Sequence, residues 1–408
     1  MNRRYLLAGL AALPFVPGAA EGQGALDAAA SAALDDTRAL PPAAALRRLA
    51  GVTATTLPVR LDVAAARAGL AIDARLPDRA ALRQQLTARR DAGTPGLSDL
   101  PDGPATFALL LQRQLGTIDV AAAQRRLDRR LADLHAQAAP LFAGLGLTTG
   151  RIGARYSRLW QDEAQLHPDT PAGRDAAVFD MAATLATAKA RAASLVGPLP
   201  PESLAVTVRH LSPAEEAAGK QGYRELPAPG RTGAYVVDLA RIRDRPRWTL
   251  PAVVAHELLP GHMAQLPVEA ATPPHALRLD YATAFVEGWG IHAETIALRD
   301  VTDPRVRLGF LHWQLFRTGR ALADLGIHRH GWSLADARAR LVEWQGEPAY
   351  FAAFDPDLAR IAVEPGVRAA EALAALALDD RAARLTGLRL TRFHAAVLAG
   401  GRKRLEQL

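Results

Sequence analysis

The stretch AVVAHELLPGHMAQ, residues 252–265, places His256, Glu257 and His262 close together in the chain. The metal-holding pattern of many zinc-peptidase helices is H-E-x-x-H, with two histidines four apart on one face. Here the second histidine follows after six positions, behind a Pro-Gly pair. On an ideal helix such positions point about 120° apart, so the two imidazoles could not share one ion. Pro260 has no N–H to offer the carbonyl of His256, and its ring clashes there. Gly261 tolerates backbone dihedrals that other residues resist. The pair therefore predicts a bulge in a continuing helix that returns His262 toward His256. Glu257, adjacent to a ligand, is placed to take a proton from a metal-held water.

A divalent ion needs a third ligand, and the chain has no cysteine to give. The segment DYATAFVEGWGIHAETIAL, 280–298, offers carboxylates instead. Asp280, Glu287 and Glu294 recur every seven residues on an otherwise apolar segment, which predicts one shared helical face. Acids facing a core need compensation, and a cation supplies it. Glu287, between Phe285-Val286 and Gly288-Trp289, is favoured over Glu294 as the ligand, and Gly288 permits another helix to approach closely.

Four ordered blocks carry a family resemblance: HELLPGHMAQ, FVEGWGIHAE, ALADLGIHRHGWS and RIAVEPGVRAAE. They resemble the signatures of the bacterial domain of unknown function 885 family, with weaker likeness in GPATFALLLQ, LPPESLAVTV and PGRTGAYVVDL. The likeness runs from about residue 95 to 375, and is specific in the histidine block and loose elsewhere. That family is itself similar to helical zinc metallopeptidases of the carboxypeptidase Taq and oligopeptidase group. The resemblance implies His256, His262 and Glu287 as zinc ligands and Glu257 as general base. It further implies Glu294 as a carboxylate orienting a ligand histidine, and His328 approaching a substrate carbonyl with Asp324 fixing its tautomer. Four positions depart from the pattern: His292 and Glu371 stand where tyrosine is usual, Val367 replaces glutamine, and Ile361 replaces an aromatic residue. A tyrosine or histidine donor near the metal would stabilise the oxyanion of an amide-cleaving intermediate. Tyr350, His292 or His328 are the candidates to replace it. Arg360 could grip a substrate carboxylate or form a structural ion pair.

The elements that must position these residues are mostly helices. Ala, Leu, Arg and Glu dominate, aromatic residues make up 5% of the chain, and alternating β-branched runs are scarce. The fold expected is mainly α, a helical metallopeptidase-like architecture with a cleft and a small β element before the metal-binding helix. Helices are predicted over 249–259, 276–299, 303–326, 333–345 and 366–377. Short strands are predicted in LAVTVRHL (204–211) and GAYVVDLARI (233–242), with YRELPAPGRTG as a loop between them. The second strand precedes the metal helix and carries Tyr235. It could pair an extended substrate along its edge.

The organisation expected is a twin-arginine-like signal peptide over 1–20, a helical region over 21–200, the β element and metal-binding helices over 201–300, and a C-terminal helical region over 301–408. The basic start, apolar run and small residues around Gly18-Ala19-Ala20 carry the signal reading, and with it an exported protein, periplasmic or extracellular. No later segment is apolar enough to span a membrane. The formal charge of +7 comes almost wholly from arginines mixed with acids, as in RRLDRRLADLH (125–135), where Leu127, Leu131 and Leu134 face inward. No basic stripe interleaved with aromatics points to nucleic acid.

The reaction expected is zinc-dependent hydrolysis of a peptide or small amide. Alternatives are a degenerate zinc protein that binds peptides or an envelope component, and a non-peptidase amidohydrolase.

Overall fold

The computed structural model describes the backbone of residues 17–347 and 353–408, and side chains from Gly24 onward. Most of the signal segment 1–20 therefore lies outside the described residues, as does Tyr350. Helices dominate, joined by turns at the Pro- and Gly-rich punctuation. The N-terminal helices α1 (Pro17–Thr37), α2 (Pro42–Leu49) and α3 (Leu57–Asp73) form a satellite cluster closed by Tyr281. Helices α4 (Arg79–Asp91), α5 (Gly103–Leu115), α6 (Val120–Gly144), α7 (Ile152–Leu159), α8 (Pro171–Val196) and the short α9 (Pro201–Leu204) follow. In α6 the expected stripe is present, with Leu127 and Leu134 buried and Leu131 part-buried against the core.

A three-stranded sheet with a short helix α10 (Pro213–Ala217) comes next: β1 (Val206–His210), β2 (Tyr223–Glu225) and β3 (Gly233–Val237), in the order β1-β3-β2. Strand β3 pairs parallel with β1 and antiparallel with β2, and all five of its residues are buried. It is the central strand, so its backbone is already satisfied on both sides and cannot accept a substrate along its edge. The predicted loop YRELPAPGRTG begins with β2, whose three residues are too short to show a period of two.

The remaining helices are α11 (Leu250–Glu257), α12 (His262–Ala270), α13 (Ala276–Tyr281), α14 (Thr283–Leu298), α15 (Pro304–His330), α16 (Leu334–Gln345), α17 (Phe354–Ile361), α18 (Val367–Ala382) and α19 (Gly387–Leu398). Helix α15 runs through the centre, buried continuously from Leu308 to His328. Asp303 caps its N-terminus by accepting from the N–H groups of Arg305 and Val306, and Gly331 at φ 66° ends it. Helix α14 lies against α18 at close range, because both present small residues. A Cβ at Gly288 would stand 2.6 Å from the Ala374 Cβ. The largest buried cluster joins Leu134 of α6, Val206 of β1, Trp289 of α14, Leu311 of α15 and Val397 of α19. Its members come from all three of the regions expected for the mature chain.

The predicted helix 276–299 is two helices. The chain turns at Ala282 (φ −127°, ψ 30°), which separates Asp280 from Glu287 and Glu294. Asp280 pairs with Arg113 and Arg79, so that carboxylate is compensated by arginine and does not share the acidic face of α14.

Candidate metal centre and its cavity

The histidine block does not bulge within one helix; it breaks. Helix α11 ends at Glu257, Leu258 leaves helical dihedrals (φ −114°, ψ −101°), the Leu259–Pro260 peptide is cis, and α12 starts at His262. Gly261 is needed for closeness: a Cβ there would lie 1.9 Å from the carbonyl oxygen of His256. The indole N–H of Trp289 donates to the carbonyls of both Pro260 and Gly261, 3.1 Å each, and ties the reversal to α14.

The result is convergence. His256 Nε2 and His262 Nε2 stand 3.2 Å apart. Glu287 faces His256 with one carboxylate oxygen at 3.4 Å and His262 with the other at 3.5 Å. Taking one donor atom from each residue, the three lie within 4.8 Å of one another. Bonds of about 2.0–2.1 Å to a tetrahedral zinc imply donor–donor edges of about 3.3 Å, close to the separations present. Behind the cluster, His256 Nδ1 donates to Glu294 at 2.8 Å, which leaves Nε2 aimed at the centre. Gly290 makes room for this imidazole, since a Cβ there would be 2.7 Å from its ring. The donor set, its spacing and the oriented imidazole all fit a divalent cation.

Electrostatics set the states of these groups. Burial would raise Glu257, but Arg224 and the two imidazoles hold its carboxyl below the ordinary range. Burial likewise opposes ionisation of Glu287, yet hydrogen bonds from His256 and His262 keep it well below. Burial raises Glu294. Burial and Arg317 push His256 down, but Glu287 and Glu294 outweigh them and lift it to about 9. Burial and Arg224 lower His262. Metal binding would therefore displace a proton from His256.

Two arginines that the sequence reading passed over reach this centre. Arg317 of α15 sits 3.2 Å from His256 Nε2 and 3.5 Å from Glu287. Arg224 of β2 is hydrogen-bonded to Glu257. The signal for Arg317 was an arginine inside the apolar run GFLHWQLFRTGRALADL, where a charge needs a reason. Arg224 had no signal, because its strand is too short and lies far from Glu257 in sequence.

A cavity of about 760 Å³ opens beside the cluster and is lined by Glu257, Glu287, Arg224, Arg317, Tyr235 and Arg360 among others. Tyr235 and Arg360, the two residues expected to bind substrate, both line this cavity. The edge strand that borders it is β2, with Tyr223 and Arg224 in the wall.

His328 and Asp324 are placed elsewhere. His328 is fully buried, donates from Nε2 to the Ile361 carbonyl at 2.9 Å, and stacks on Phe107 with centroids 5.8 Å apart. Burial drops it to about 4, so it is a neutral core imidazole. Asp324 accepts from the N–H groups of Gly366 and Ala369 at the start of α18, and its nearest oxygen is 3.9 Å from His328 Nε2. Four-residue spacing brought the two near, but each found a better partner in the backbone. His292 also turns away from the cavity. Its Nδ1 meets Asp379 at 2.6 Å and its Nε2 meets His394 Nε2 at 3.2 Å. His394 donates from Nδ1 to the Leu195 carbonyl. Neither His328 nor His292 can serve as an oxyanion donor from these positions. Glu371, which stands where tyrosine was expected, is held by Arg368 at 2.7 Å.

Fold and site together define a mainly α-helical protein with a buried His-His-Glu cluster opening on an arginine-rich cavity. The chain belongs to the bacterial protein family of unknown function DUF885, which matches over residues 9–408. A protein from Colwellia psychrerythraea described as a candidate lipoprotein shares the fold, with a TM-score of 0.68 at 22% identity, covering 89% of this chain and 64% of that one. The present chain thus spans just under two thirds of that protein. A second candidate lipoprotein of unknown function, from Shewanella oneidensis, aligns with a TM-score of 0.61 at 16% identity over 92% of this chain and 72% of its own. No curated protein matches significantly.

Proposed function

We propose that this protein is a metal-dependent hydrolase of peptides or small amides, with zinc as the ion. The observation that supports it most is the convergence of His256, His262 and Glu287, with Glu294 fixing the tautomer of His256 from behind. A zinc ion held there would act as a Lewis acid that polarises a carbonyl and lowers the pKa of a water. Glu257 is an ionised carboxylate at the cavity wall, so it can take the proton of the attacking water and give it to the leaving nitrogen. Water's oxygen bonds to the carbonyl carbon, the C–N bond breaks, and the nitrogen departs protonated. Arg317, beside the cluster, is the charged donor available to the developing oxyanion in place of the tyrosine that Glu371 replaces. Arg224 keeps Glu257 ionised and oriented.

The apolar N-terminus and the likeness to candidate lipoproteins support an exported, envelope-associated protein. Among the described residues no helix is long and apolar enough to cross a membrane.

The test pairs metal analysis of purified protein with the Glu257→Gln variant. The expected outcome is one zinc per chain in both, with amine release from a peptide mixture at least about 10²-fold slower in the variant. Equal rates in the two would leave a zinc protein that binds without hydrolysing.

A further inference from the structure

Six arginines line the cavity beside the cluster: Arg224, Arg245, Arg317, Arg320, Arg360 and Arg368. Five have a carboxylate of their own. Arg224 meets Glu257, Arg245 lies 4.0 Å from Asp238, and Arg317 lies 3.5 Å from Glu287. Arg320 grips Asp357 with two hydrogen bonds, at 2.6 and 2.8 Å, and Arg368 holds Glu371 at 2.7 Å. The guanidinium of Arg360, exposed on α17, has no hydrogen-bond or ion-pair partner among the described residues. An unpaired arginine on an open surface is ordinary. This one stands in the wall of a cavity whose other arginines are already matched.

The charge balance gives that position meaning. Without a ligand the matched pairs leave Arg360 as the surplus, and a divalent cation on the His-His-Glu cluster would add further positive charge nearby. A concave wall with excess positive charge concentrates anions. Among anions, a carboxylate fits the planar fork of a guanidinium through two parallel hydrogen bonds. The cavity volume of about 760 Å³ suits a short peptide segment.

We propose that Arg360 binds the terminal carboxylate of a peptide whose preceding amide lies at the His-His-Glu cluster, so that the substrate class is peptides with a free C-terminus and the released product is a C-terminal residue. This rests on the metal-dependent amide hydrolysis proposed above, which leaves open the end of the chain attacked.

The experiment is isothermal titration calorimetry with one N-blocked dipeptide in two forms, free acid and C-terminal amide. Each is titrated into the ion-free protein and into zinc-loaded Glu257→Gln, which should not turn substrate over. The expected result is at least about tenfold tighter binding of the free acid in both preparations, weakening with salt. In Arg360→Gln the two forms should bind within about twofold of each other, while Arg360→Lys should recover part of the difference. Arg360 is exposed, so unchanged thermal unfolding of the variants is expected and is checked alongside. Equal affinity of acid and amide in the wild type, binding of neither, or a preference that survives Arg360→Gln would each overturn the assignment. Failure of the hydrolysis reading would look different: no zinc uptake, or no effect of Glu257→Gln on turnover, with the acid preference of the ion-free protein still measurable.

Discussion

Helix α14 holds two pairs of imidazoles, one on either side, and both pairs have the same Nε2–Nε2 separation of 3.2 Å. His256 and His262 share Glu287, which faces both rings and the cavity. His292 and His394 have no such shared acid. Asp379 takes the far nitrogen of His292, the Leu195 carbonyl takes the far nitrogen of His394, and both rings are sealed from solvent. The proton placement follows from those partners. His394 donates at Nδ1, so the neutral ring accepts at Nε2, where His292 donates to it. One pair directs its Nε2 atoms and a carboxylate at a common point. The other spends its nitrogens on a proton chain. Imidazole spacing alone does not make a candidate metal centre; the first pair adds a third donor and an access route.

The largest effect that would break this contrast is on metal affinity. His262→Ala should weaken zinc binding by well over about a hundredfold in a chelator competition, whereas His394→Ala should leave zinc stoichiometry at one. Zinc lost equally in both variants would erase the distinction.

Acid sensitivity should mark the opposite pair. Burial, and then the charge of His292, lower His394 to about 4. A lowered folded pKa contributes stability that is full above the unfolded value near 6.5 and is lost as pH falls through about 4. Over that window His394 should cost up to about 3 kcal/mol of unfolding free energy, read by urea denaturation at a series of pH values. The His394→Gln variant should show a flatter profile between pH 6.5 and 4.

A smaller effect sharpens the comparison from behind the candidate ligands. Glu294→Gln keeps a hydrogen-bonding group against His256 Nδ1 but removes the charge. Zinc affinity should fall about tenfold, and the fold should persist by circular dichroism. No change would mean that Glu294 only fills space.

Much of the first pair was legible in the chain, and almost none of the second. HELLPGH announced that His256 and His262 converge, because Pro260 and Gly261 disturb a helix whatever the rest of the fold, but it pointed to a bulge where the chain ends one helix and starts another. The seven-residue spacing of Glu287 and Glu294 placed them on one face of α14. The same rule overreached at Asp280, because apolar periodicity runs on through Ala282 and does not register a turn. His328 and Asp324 had the right spacing for a pair, but spacing says nothing about the Ile361 carbonyl or the α18 N-terminus that claimed them. His292 and His394 are 102 residues apart in sequence, and Arg224 is 33 from Glu257, so only the folded chain brings them together. Strand β3 was found, yet its place in the middle of the sheet was hidden because β2 is three residues long.

Trp289 links the chain reversal before His262 to the sealed histidine pair. Its N–H holds the Pro260-Gly261 reversal, and its ring meets His292 and His394 edge-on, with centroids 5.7 and 6.0 Å away. Indole emission is sensitive to the hydrogen bonds of its nitrogen and is quenched by a neighbouring imidazolium. Trp289 is therefore a built-in optical reporter. The part of a fluorescence change that Trp289→Phe removes would register movement at the reversal on zinc titration, and protonation of the sealed pair on acidification, apart from the response of Trp313 beside His256 and of Trp160 and Trp248 beside His312.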